Sequence, residues 1–122
     1  MSTKELRRAG VGVDHANRDE HDFYVTPAYA TEALLNRERF EGSIWEPACG
    51  DGAISKVLIR LSNPVLSSDL IYRGYGFGGE DFLADKTRHL FPVPHNIVTN
   101  PPFKHALEFA KRGVELKPAK LC

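Results

Sequence analysis

The chain has little of what would mark it for a membrane, a metal or an oxidising compartment. Among its 122 residues are two cysteines, Cys49 and Cys122. They lie far apart, with no CxxC spacing and no histidine pair beside them, which argues against a disulfide framework and against a zinc site. His15 and His21 stand among acids in a polar stretch, where a metal would need more converging ligands, so no metal is expected. No apolar run approaches the roughly 18 residues that cross a bilayer, and the first residues lack the apolar core of a signal peptide. A cytoplasmic protein that touches no membrane is the expectation. Net charge is missing too: lysine plus arginine and aspartate plus glutamate stand at 16 each. No overall field draws the chain to phosphate backbones, so if it meets nucleic acid, most of the basic surface lies elsewhere.

What remains is a composition ordinary for one soluble domain, 42% apolar and 26% charged. Residues 1–22 are polar and without apolar periodicity, and read as a flexible N-terminal arm. Thr26-Pro27 reads as a helix start, the hydroxyl capping free N–H groups and the proline in the first turn, with a helix over about 27–38. Ser43 to Glu46 predicts a strand. A helix carrying Ile54, Val57, Leu58 and Leu61 on one face follows a glycine turn. Pro64 to Ser68 predicts a second strand ending at Asp69, and Asn96 to Thr99 a third ending at Asn100. Ala106, Phe109, Ala110 and Val114 form the apolar stripe of a last helix, which Pro118 stops. Strand, glycine loop, helix and strand make the βαβ pattern of an α/β fold.

Glu46-Pro47-Ala48-Cys49-Gly50-Asp51-Gly52 places a carboxylate four residues before a GxG turn, and Asp69 follows Gly50 by 19 residues. Glycines let backbone approach a ligand closely, and an acid ending the second strand can accept both hydroxyls of a ribose. A pyrophosphate-binding loop would carry a third glycine at position 55, where this chain has Ser55. S-adenosylmethionine suits the loop better: it has no phosphate, and Glu46 or a neighbouring carbonyl can meet its cationic amino group. A structural strand-to-helix turn would use the same residues. The literal GxGxxG at Gly74 to Gly79 neither leaves an apolar strand nor enters a periodic helix, and reads as a flexible loop. After it, Asp81 can accept an adenine amino group with Phe82 beside it, or can cap a short helix over Phe82–His89.

Asn100-Pro101-Pro102-Phe103 is a rigid turn, because two prolines fix φ and remove donors. As a proline turn it needs no function. Its chemistry nonetheless suits a conjugated amino group, a poor nucleophile whose lone pair is delocalised. The Asn100 side-chain oxygen and the Pro101 carbonyl can accept its two N–H bonds and hold the nitrogen nearer tetrahedral, while Phe103 stacks on an extruded base.

From Phe23 to about Val114 these residues resemble the S-adenosylmethionine-dependent N6-adenine DNA methyltransferases, especially small phage- and prophage-type bacterial ones. The shared parts are Phe23-Tyr24-Val25-Thr26-Pro27, the Glu46–Gly52 loop, Asp69, Asp81-Phe82 and Asn100-Pro101-Pro102-Phe103, in the family's order. The resemblance implies a Rossmann-like methyltransferase fold that binds S-adenosylmethionine and acts on adenine in DNA. Tyr24, Thr26 and Pro27 would lie over the methionine end of the cofactor. Glu46, Pro47, Ala48, Gly50 and Gly52 would shape its pocket, Asp69 with Leu70 would hold the ribose, and Asp81 with Phe82 the adenine. Asn100, Pro101, Pro102 and Phe103 would position the target base. Val25 departs from the proline frequent in relatives. Relatives also continue for several strands beyond this helix, which makes residues 23–122 a partial domain, truncated after about three parallel strands. A homo-oligomer or a second chain completing the sheet is then expected, with little activity from these residues alone. Asn-Pro-Pro-aromatic turns also serve glutamine side-chain amides and RNA, and a non-catalytic cofactor-binding remnant is a third reading.

Overall fold

Short parallel strands can be covered on both faces, and that is how this chain is built. The computed structural model describes residues 23–84 and 94–122. Its elements run α1 (Ala28–Arg37), β1 (Ile44–Glu46), α2 (Ala53–Leu58), β2 (Val65–Ser67), β3 (Asn96–Ile97), a 3-10 turn (Phe103–His105), α3 (Ala106–Glu115) and β4 (Lys120–Leu121). All four strands are parallel, in the spatial order β2-β1-β3-β4. The chain is thus α/β around a small parallel sheet. Residues 1–22, read from the sequence as an arm, and most of the segment 82–89, read as a helix, lie outside the described residues.

Alternation sorts the core into two layers. Ile44, Val65 and Val98 pack with Phe40, Ile54, Leu58 and the half-buried Leu34 and Leu35 of α1 on one face. Trp45, Leu66 and Ile97 pack with Phe82, Leu116 and Phe109 of α3 on the other. Strand positions agree with the sequence to within one or two residues. The expected count of about three strands becomes four, because Lys120–Leu121 pairs with β3. Ala119 N–H donates to the His95 carbonyl (2.7 Å), Cys122 N–H to Ile97 (2.9 Å) and Thr99 N–H to Cys122 (3.0 Å), enough to extend the ladder.

Two further expectations change. α1 begins at Ala28 with Pro27 as its cap in an extended conformation (ψ 140°), so the Thr26 hydroxyl caps nothing. α3 is rotated from its expected stripe: Phe109, Arg112, Gly113 and Leu116 face inward, whereas Ala106, Ala110 and Val114 are exposed. The reason is the buried Arg112 guanidinium, which donates to the Phe82 and Ala84 carbonyls (3.3 and 3.4 Å) and fixes the helix face.

The segment 74–79 is no free loop. Phe77 forms a parallel bridge with Ser68, its N–H donating to the Ser67 carbonyl (3.0 Å) and its carbonyl accepting from Asp69 N–H (2.9 Å). Counting that bridge, the order across the sheet is third, second, first, fourth, fifth, which is compatible with a Rossmann-like arrangement.

Candidate functional site

A parallel sheet presents all its strand ends on one side, and where the order reverses the connections diverge and leave a crevice. Here the reversal falls between β1 and β3. A cleft of about 240 Å³ opens there.

The glycine loop leaves β1 and enters α2 under tight local control. Gly50 has φ +55°. Its missing side chain makes room for the Phe23 ring, which packs directly on it. Arg73 lies over the same ring, 4.2 Å from its centroid. Gly50 N–H donates to Asp69 Oδ2 (2.8 Å), and Ile71 N–H donates to Asp69 Oδ1 (3.1 Å). The carboxylate that ends β2 therefore ties the loop to its own strand while bordering the cleft.

Glu46 ends β1 with no exposed surface. Its carboxyl accepts from Thr99 Oγ1 (2.7 Å) and Ser55 Oγ (3.4 Å), and from the Ala48 N–H. Ser55 in turn accepts from Ser67 Oγ (2.6 Å). Burial, with a smaller push from the Asp69 charge, raises its pKa from 4.5 to about 7 against those hydrogen bonds. Burial and the same acids push the Cys49 thiol up to about 12, so it stays protonated and unreactive. Asp81 accepts from Leu83 N–H (3.0 Å), capping a turn, and lines the cleft.

The Asn-Pro-Pro turn arrives from β3, and Thr99 just before it is the residue bonded to Glu46. Asn100 is exposed, and its Nδ2 donates to Thr26 Oγ1 (3.1 Å). The amide nitrogen is thus engaged, and Oδ1 has no partner among the described residues. Thr26 thus joins the segment before α1 to the turn after β3.

Of the residues singled out in the sequence, the cleft gathers Tyr24, Thr26, Glu46, Ala48, Gly50, Asp69, Leu70, Asp81, Asn100 and Pro102. Pro27, Pro47, Gly52, Phe82, Pro101 and Phe103 do not line it. Gly52 caps α2 beneath the Tyr75 ring. Phe82 belongs to the core, edge-on to Trp45 at 5.1 Å and against Phe109 at 5.0 Å between ring centroids. Phe103 is 72% exposed at the start of the 3-10 turn.

Phe23, Asp51, Arg73 and His105 line the cleft without having been given a role from sequence. Phe23, within the aromatic-Thr-Pro stretch, and Asp51, within the glycine loop, carried a signal. Four carboxyl residues (Glu46, Asp51, Asp69, Asp81) face one arginine, Arg73, around the cleft, a setting that favours cations and disfavours phosphates.

Among the described residues there is no group of three or more His, Cys, Asp or Glu able to hold a metal. No helix among them is long and apolar enough to cross a membrane. Comparison with models of known families, with curated proteins and with solved structures finds no significant match to this chain. What the cleft does is read from its own residues.

Proposed function

We propose that the chain is an S-adenosylmethionine-dependent N-methyltransferase with a Rossmann-like methyltransferase fold, acting on a conjugated amino group, adenine N6 in DNA. One observation carries this reading. The acid-led glycine loop and the Asn-Pro-Pro turn, 54 residues apart between Glu46 and Asn100, meet at one cleft and are bonded to each other through Thr99 and Glu46.

The residues fit the cofactor in kind. Its positive charge matches a carboxyl-rich lining, and its lack of phosphate matches a loop whose third glycine position is the buried Ser55. Glu46 and the loop backbone would hold the methionine end, Asp69 the ribose and Asp81 the adenine. When bound, S-adenosylmethionine supplies an activated methyl group on a sulfonium. The chain's own task is to present the acceptor nitrogen. Thr26 engages the Asn100 amide nitrogen and leaves its oxygen to accept an N–H of the target amino group, and the rigid prolines hold the Pro101 carbonyl for the other. Loss of those acceptors restores delocalisation of the lone pair, which slows attack without loosening the cofactor.

The test is transfer of labelled methyl groups from S-adenosylmethionine to duplex DNA, single-stranded DNA, RNA and a glutamine-containing peptide in parallel. Label on DNA adenine is expected. Asn100→Ala should lower turnover by about 100-fold or more, the usual cost of losing one oriented hydrogen-bonding group at a reacting centre. Its affinity for S-adenosylhomocysteine should change little. Normal turnover in that variant would overturn the proposed mechanism, and label on RNA or peptide alone would replace the substrate.

A further inference from the structure

Glu46 is a buried acid without a base. It has no water-accessible surface, and among the described residues no lysine, arginine or histidine lies within ion-pair distance of it. The groups bonded to it or acting on its charge are neutral or negative, and Arg73, which lines the same cleft, is not paired with it. Thr99 donates from the end of β3, Ser55 from α2, and Ala48 from the glycine loop. Asp69 from the end of β2 adds a repulsive charge, and Asp51 and the protonated Cys49 stand on the loop itself. Hydroxyl and amide donors lower the cost of a buried carboxylate but supply no countercharge, and an unpaired buried charge is resolved by neutralisation or by an arriving ion of opposite sign. The cleft that Glu46 borders is where such an ion would arrive.

We propose that Glu46 is a proton-exchanging counter-ion: it carries a proton until a ligand ammonium enters the cleft, then releases that proton to the buffer and accepts an N–H of the ammonium in its place. The carboxyl O–H bond breaks, the proton leaves to solvent, and a neutral acid facing a cation becomes a carboxylate paired with it. The cleft in consequence distinguishes a nucleoside bearing an amino-acid ammonium from the same nucleoside without one. This rests on the reading of the cleft as an S-adenosylmethionine site. The raised pKa of about 7 agrees with the geometry and sets the pH at which the exchange is visible.

Calorimetry decides it, with S-adenosylhomocysteine, which carries the ammonium, and 5′-methylthioadenosine, which lacks the amino acid. Titrations at pH 6 in two buffers of different ionisation enthalpy count the protons released. S-adenosylhomocysteine should release about one proton and bind about tenfold more tightly for each pH unit gained up to neutrality, levelling above it. Methylthioadenosine should release none. Glu46→Gln should bind S-adenosylhomocysteine without proton release and with a flat pH profile. His105 also lines the cleft. Proton release that survives in Glu46→Gln would belong to another group and overturn the proposal. Binding without proton release would overturn it as well, while leaving the cofactor site intact. If neither S-adenosylhomocysteine nor S-adenosylmethionine binds, the reading of the site falls and the proposal falls with it. Should the glutamine variant fail to fold, the contrast between the two nucleosides on the unmodified chain still decides.

Discussion

At the scale of single residues, Glu46 sets stability against binding. A carboxyl whose pKa is raised in the folded state, here from 4.5 to about 7, contributes stability that is fully present below about pH 4.5 and is lost as pH rises through about 7. The loss across that window is on the order of 3 kcal/mol at most, a large share of a small domain's margin. Glu46→Gln keeps the shape, has no proton to lose, and should lose none of this stability. Urea unfolding at pH 5 and pH 8 should show the variant gaining on the unmodified chain as pH rises. Parallel pH profiles would show that the buried carboxyl costs the fold nothing.

Some of the site was visible residue by residue, because chemistry that depends on spacing along the chain is written there. Glu46 before the glycines, Asp69 after them and Asn100 at the end of an apolar strand all reach the cleft. What spacing does not encode is pairing at a distance. Thr26 looked like a helix cap because hydroxyl followed by proline starts helices, but its partner is Asn100, 74 positions away. Phe82 looked like a ligand contact because it follows an acid, yet its ring is drawn into the core by Trp45 and Phe109. Asp69 looked like a free ribose acceptor and turns out also to hold the glycine loop, so its removal would disturb loop and ligand together.

At the scale of elements, the segment 74–79 shows how a misread turn can matter. Its glycines suggested flexibility, since no apolar strand precedes them. The backbone instead closes against the end of β2. Gly76 sits at φ +70°, and a Cβ there would lie 2.5 Å from the Ser67 carbonyl oxygen, a backbone atom with nowhere to go. Gly74, at φ +98°, has open space around the same position. Alanine at either site carries the strain of a left-handed conformation, but only Gly76→Ala adds the clash. Gly76→Ala should therefore be less stable than Gly74→Ala by about 1–3 kcal/mol in denaturant unfolding. It should also weaken S-adenosylhomocysteine binding, by displacing Asp69 next to the Phe77 bridge. Equal stability of the two variants would mean that the bridge contributes nothing. The helix α3 carries the companion lesson: apolar periodicity proposed one face, and the bonds of one buried arginine to the turn at Phe82 and Ala84 selected another.

At the scale of the whole molecule, element order was more legible than element ends. Strand, glycine loop, helix, strand specifies a parallel sheet with helices on both faces, and the two core layers carry it out. The fourth strand, Lys120–Leu121, is the edge of the sheet beyond β3. Leu107 and Val114 of α3 and Leu121 of β4 are exposed.

The large-scale feature with the clearest consequence is charge. A chain with no net charge concentrates four carboxyl residues around one cleft, so it should discriminate sharply between a nucleoside that carries an ammonium and no phosphate and one that carries phosphate. Titrating the purified chain by calorimetry with S-adenosylhomocysteine and, separately, with NAD tests that claim most directly. Saturable binding of S-adenosylhomocysteine at one site, with no measurable binding of NAD, is the predicted result. Binding of NAD in preference, or of neither ligand, would contradict it.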